Sequence, residues 1–108
     1  MLFSLEKLHH FLKMRLGRNT LFKLGKIVAT HEALKAIKES NVSKWDLLNR
    51  HATGDWGCIP NERKRENTLC LDSGFSIRSV YLLDKYGNRL EVITNGDRSL
   101  TLLKMLDD

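Results

Sequence analysis

The sequence predicts an α+β domain: N-terminal helices followed by a three-stranded antiparallel β-meander, with residues 21–28 a candidate fourth strand at one edge. Three observations carry this. Apolar residues recur at helical spacing through most of the first two thirds of the chain. The last third switches to an alternating pattern. Its three alternating segments are joined by short polar turns, so no helical crossover separates them.

Residues 4–16, SLEKLHHFLKMRL, place Leu5, Leu8, Phe11, Leu12 and Leu16 on one helical stripe, and Gly17 to Asn19 supply stop chemistry. Residues 21–28, LFKLGKIV, read as a short extended segment with Gly25 inside it, a sign of a bulge or a close backbone approach. Thr30 caps a helix over HEALKAIKES with Ala33, Leu34 and Ile37 inward. Ser43, with Asp46 three residues on, opens a second helix, SKWDLLNRHAT, whose natural C′ residue is Gly54. Asn61 caps a third, NERKRENTLCLDS, stopped by Gly74.

The strands then follow. FSIRSVYLL puts Phe75, Ile77, Ser79 and Tyr81 on one face and Ser76, Arg78 and Val80 on the other. DKYGN turns the chain into RLEVIT, and the Asn-Gly of NGD turns it again into RSLTLLKML.

The 108 residues suit a single domain over 21–108 with a basic amphipathic arm over 1–20. The net charge of +5 belongs to the N-terminal end. Residues 1–26 carry Lys7, Lys13, Arg15, Arg18, Lys23 and Lys26 against Glu6 alone, while the remainder is balanced. Such an arm suits nucleic acid or another anionic surface, or it is simply a solvated helix face. Its apolar stripe could also pair two copies into a homodimer. No run of apolar residues is long enough to cross a membrane, and charges interrupt the N-terminus where a secretory signal needs an apolar core. Cys58 and Cys70 form no CxxC, and the histidines are not spaced with them as zinc ligands. A cytoplasmic chain with two reduced thiols, no metal and no cofactor is expected.

No phosphate-binding loop, dinucleotide fingerprint, nucleophile elbow or HExxH motif occurs. Three groups of polar residues stand out instead. The first is RHATGDWG, with Arg50, His51, Asp55 and Trp56 just past a helix end. His51 and Arg50 there either cap the last carbonyls or supply an acid–base group and a cation. Trp56 is either a core anchor or a stacking platform for a base. The second group, on the strands, is Arg78, Ser79, Tyr81, Thr94, Asp97, Arg98, Ser99 and Thr101. Arginine with hydroxyls can grip an oxyanion, or these residues are a turn ion pair and cross-strand packing. The third is NERKREN, usually a solvated face, where Arg63 and Arg65 could touch phosphates.

The strings LLNRHATGDWG, EN at 66–67, GFSIRSVYLL and LEVITNGDRSLTLL together resemble a family of small bacterial plasmid-related, mobile-element proteins. The matching residues are Arg50, His51, Gly54, Asp55, Trp56, Gly57, Asn67, Arg78, Ser79, Tyr81, Thr94, Asp97, Arg98, Ser99 and Thr101. The chain departs at Asn95, where the family usually carries Glu, and in its C-terminal LLKMLDD. The resemblance implies association with plasmids or prophages rather than a defined activity.

Two functions follow. One is a non-catalytic binding protein that contacts nucleic acid or a host nuclease or regulator. The other, by fold-level analogy, is a metal-independent ribonuclease or toxin of the barnase or RelE type. In it His51 would be the acid–base group, and Arg78 and Arg98 would stabilise the phosphorane. Ser99 or Thr101 would position the phosphate, and Trp56 or Tyr81 would stack on a base. The geometry that separates the two is whether His51, Arg78 and Arg98 share one cleft.

Overall fold

A computed structural model describes residues 2–5 and 20–106. Most of the predicted N-terminal helix, with Lys7, Lys13, Arg15, Arg18, Leu8, Phe11 and Leu12, lies outside the described residues. The elements run β1 (Leu2–Ser4), β2 (Lys26–Thr30), α1 (His31–Ser40), α2 (Lys44–Ala52), α3 (Asn61–Leu69), β3 (Ile77–Leu82), β4 (Arg89–Thr94) and β5 (Leu100–Met105).

The domain is α+β, but its sheet is not a three-stranded meander after helices. It is a five-stranded mixed sheet in the order β1-β2-β5-β4-β3. The chain enters as a strand: Leu2–Ser4 pairs antiparallel with β2, and the Leu5 amide donates to the Ile27 carbonyl at 2.8 Å. Leu5 then packs against the chain's own core. The fourth strand is Lys26–Thr30 rather than 21–28, and it lies inside the sheet, parallel to β5. The physical reason is burial on both faces: Ile27, Val28 and Ala29 are all buried, which suits an interior parallel strand. The β3–β4–β5 meander stands within this larger sheet, with Ile77 opposite Thr94 and Thr94 opposite Thr101.

The caps follow the sequence. Thr30 Oγ1 accepts from the Ala33 amide at 3.1 Å, and Ser43 Oγ accepts from the Asp46 amide at 3.4 Å. α3 differs: Pro60, not Asn61, precedes its first turn, and no side chain caps it. α1 and α2 cover one face of the sheet, where Ile27, Ala33, Ile37, Leu48, Leu90, Val92 and Leu103 form the core. The β4–β5 turn also departs from the Asn-Gly expectation. Its left-handed residue is Arg98 (φ 62°), while Gly96 lets the backbone approach the Gly74 carbonyl.

Exposed strand edges invite pairing with other chains, and β3 lies at one edge of the sheet. Here the edge is covered. Asn67 on α3 donates from Nδ2 to the Arg78 carbonyl at 2.7 Å and accepts from the Arg78 amide at 3.3 Å. Two residues on, the Val80 amide donates to the Trp56 carbonyl, and the Val80 carbonyl accepts from the Cys58 amide. Asn67→Ala is expected to cost roughly 2 kcal/mol, because it strands two partly buried backbone groups at once. Urea unfolding measures it. A loss within that of an exposed control such as Thr68→Ala contradicts this account.

Candidate functional site

The RHATGDWG segment folds back onto β3. Arg50 Nε donates to Asp55 Oδ2 at 2.6 Å, and the Arg50 guanidinium lies over the Tyr81 ring at 4.5 Å. Arg50 holds the Asp55 carboxyl below its ordinary range. Tyr81 Oη donates to the Asp55 carbonyl at 2.6 Å, and burial pushes its phenol well above the usual value. Gly57, at φ 76°, brings the backbone alongside Val80, and Trp56 is buried as an anchor beneath the turn. Arg50, Asp55, Trp56 and Tyr81 therefore act together as a clamp on the sheet edge. The Arg50–Asp55 pair is about half exposed, so its own contribution is small.

His51 points the other way, into the core, and is completely buried. Its Nδ1 lies 2.6 Å from Ser79 Oγ and its Nε2 lies 2.9 Å from Thr94 Oγ1. Thr94 Oγ1 is 2.7 Å from Thr101 Oγ1, which in turn reaches the Leu24 carbonyl at 2.6 Å. The carbonyl sets the direction of the whole chain. Only Thr101 can donate to it, so Thr94 donates to Thr101 and must accept from His51. The imidazole therefore carries its proton on Nε2, and Ser79 donates to Nδ1. Each of the four side chains uses its single proton, in a run from β3 through α2 to β4 and β5. Burial, and next the nearby Arg98 charge, lower the His51 pKa from 6.5 to about 3. A neutral, enclosed imidazole with both nitrogens occupied has no route to a substrate proton.

Arg98 is also consumed within the fold. Its guanidinium donates to the carbonyls of Phe75 (2.8 Å), Asn95 (2.9 Å), Cys70 (2.8 Å) and Leu71 (3.3 Å). It ties the segment after α3 to the β4–β5 turn. Phe22 stands beside both Arg98 (5.6 Å) and His51 (5.2 Å between ring centres). Asp97 accepts from the Ser99 amide and hydroxyl, and Asn95 accepts from the Ser99 and Leu100 amides, so this turn satisfies itself. Arg98→Lys keeps the charge but cannot span four carbonyls. It is expected to cost about 2 kcal/mol in chemical denaturation; stability equal to the parent contradicts the strut role.

Arg78 lies on the opposite face of β3 from Ser79. It pairs with Glu91, a buried carboxylate two residues along β4 from its cross-strand partner Ile93. Its Nε is buried and has no hydrogen-bond partner among the described residues. This corner opens into a groove of about 460 Å³ between α3 and the outer face of β3 and β4. Arg63, Glu66 and Asn67 line it from α3 at positions 0, +3 and +4 of one helical face, and Cys70 from the residue just past the helix end. Arg89 and the apolar Val80 and Ile93 line it from the sheet, and Cys58 from the turn. Both thiols are free. No group of three or more His, Cys, Asp or Glu able to hold a metal is found among the described residues.

The structure thus brings His51, Ser79, Thr94 and Thr101 together in the core, and Asp97, Arg98 and Ser99 together in the turn. It does not bring His51 and Arg78 together, because the sheet lies between them. Asn67 acts on backbone. Of the arm, Lys23 and Lys26 are exposed and described, and Lys26 opens β2. No helix among the described residues is long and apolar enough to cross a membrane. Sequence reasoning did not single out Arg89 or Glu91. The signal was present in RLEVIT, whose alternation puts Arg89, Glu91 and Ile93 on the face opposite Leu90, Val92 and Thr94. No family model, curated protein or solved structure matches this chain.

Proposed function

We propose that this protein is a non-catalytic, cytoplasmic nucleic-acid-binding module, in keeping with the mobile-element association that its sequence resemblance implies. One observation carries the reading. The polar residues of an imagined active site are spent on the fold, while Arg63, Arg78 and Arg89 gather on one open groove. The side chains of Arg63 and Arg89 are both exposed and make no hydrogen bond or ion pair with other described residues. Charged side chains of that kind supply phosphate contacts, and such contacts dominate affinity for nucleic acid.

Binding of single-stranded and duplex oligonucleotides should fall steeply with salt. Three phosphate contacts on a single strand give a log–log slope of about −2. Affinity that does not respond to salt, or no binding at low salt, overturns the reading. Incubation with a broad RNA panel in EDTA is expected to leave every RNA intact. Cleavage that disappears in His51→Gln would return the ribonuclease reading and end this one.

A further inference from the structure

We propose that the groove between α3 and the β3–β4 hairpin is a phosphate-binding site formed by Arg63, Arg78 and Arg89. This deepens the nucleic-acid reading and rests on it, by naming the chemical group gripped and where.

The helix is fixed in place for the task. Asn67 bonds both backbone groups of Arg78, so α3 cannot slide along β3. Arg63, one turn earlier on the same helix, lines the same groove as Arg78. The Arg78 guanidinium is itself held from one side only. A terminal nitrogen pairs with Glu91, while the buried Nε has no acceptor. A buried N–H without a partner is costly, and native folds leave few of them. That Nε is closed to solvent, and it is the exposed remainder of the half-exposed Arg78 side chain that faces the groove.

Charge and shape agree. Three guanidinium groups and one carboxylate, Glu66, line the groove, and Glu91 outside the lining pairs with Arg78, which leaves one net positive charge for an anion. Guanidinium presents forked donors that match the oxygens of a phosphate. Val80 and Ile93 provide an apolar floor that strengthens those contacts by limiting water. A volume of about 460 Å³ is that of a small-molecule site and accommodates one nucleotide unit. The phosphate comes either from a nucleic-acid chain or from a free phosphorylated metabolite.

Titrations of the full chain with inorganic phosphate, adenosine monophosphate and a short single-stranded oligonucleotide test this by NMR. The Arg78 Nε–H and the Asn67 side-chain amide are the reporters. All three probes should shift both signals, and Arg63→Gln or Arg89→Gln should each weaken phosphate binding by roughly tenfold. Arg65→Gln, on α3 but outside the groove, should not. Arg78→Ala strands the buried Glu91, so Arg78→Lys is the informative variant: it keeps the charge, stays folded and loses the fork. Oligonucleotide bound more tightly than the mononucleotide identifies the chain as the source. Mononucleotide binding with no gain from the chain supports the groove but identifies a metabolite, and so overturns the nucleic-acid reading. Oligonucleotide binding that leaves the Arg78 and Asn67 signals unmoved overturns the groove alone. If inorganic phosphate and adenosine monophosphate move neither signal, the phosphate site is refuted.

Discussion

Gly57→Ala is expected to destabilise the fold by about 3 kcal/mol or more, a large share of the stability of a domain this size. Two costs combine. Gly57 sits at φ 76°, a left-handed conformation that costs an L-residue about 1–2 kcal/mol. An added Cβ would also collide with the Val80 carbonyl oxygen and lie 2.8 Å from Tyr81 Cδ1. The carbonyl cannot yield freely, because it accepts the Cys58 amide that closes the β3 edge. Gly87→Ala is the control. Gly87 has a similar φ of 89°, but open space surrounds it, so only the conformational cost applies. Urea midpoints for the two variants should differ clearly. Equal losses would mean that the close approach at Gly57 contributes nothing. The same clamp governs edge protection, so Gly57→Ala should also aggregate more readily than Gly87→Ala.

His51→Ala is expected to cost about 4 kcal/mol at neutral pH. It leaves a cavity and removes the partners of Ser79 and Thr94, both fully buried. The parent protein should carry a matching pH dependence. The folded state holds His51 neutral down to a pKa of about 3, whereas the ordinary value is 6.5. Between those values the unfolded chain binds a proton that the folded chain does not. Stability contributed by the neutral imidazole is therefore complete above pH 6.5 and is lost progressively as pH falls toward 3. The loss approaches ~1.4 kcal/mol per pH unit within the window. His51→Gln removes the titrating group, so denaturant unfolding at neutral and mildly acidic pH should show a flatter profile than the parent. Parallel profiles would show that His51 is not the group responsible.

These expectations bear on how motif-like strings are read. RHATGDWG, EN and NGDRS look like pieces of an active site because they mix cations, carboxylates, an imidazole and glycines. In the folded chain each completes backbone hydrogen bonding that the helices and ladders leave open. Asp55, Asn67 and Asp97 serve amides or carbonyls, Arg98 serves four carbonyls, and His51 closes a chain of hydroxyls that ends on Leu24. Small domains have many loop carbonyls and little core, so polar side chains do much of this work.

Local chemistry made several parts legible from the sequence alone. Thr30 and Ser43 announced α1 and α2, and the period-two alternation announced β3, β4 and β5. The same alternation placed Arg78 on the face opposite Ser79 and Tyr81. Each of these depends on residues within a few positions of one another, where spacing and capping act directly. The tertiary structure decided the rest. That β2 lies inside the sheet and parallel to β5 is a pairing across some seventy residues, with no turn to mark it. That Leu2–Ser4 is a strand follows from the open edge of β2, not from its own three residues. Whether His51 meets solvent or core depended on which side of α2 the sheet would cover. The hydroxyls of its network come from three different strands, and only folding assembles them. The groove is the same case: Arg63, Arg78 and Arg89 are far apart in sequence, and Asn67 brings their elements together by bonding a strand edge.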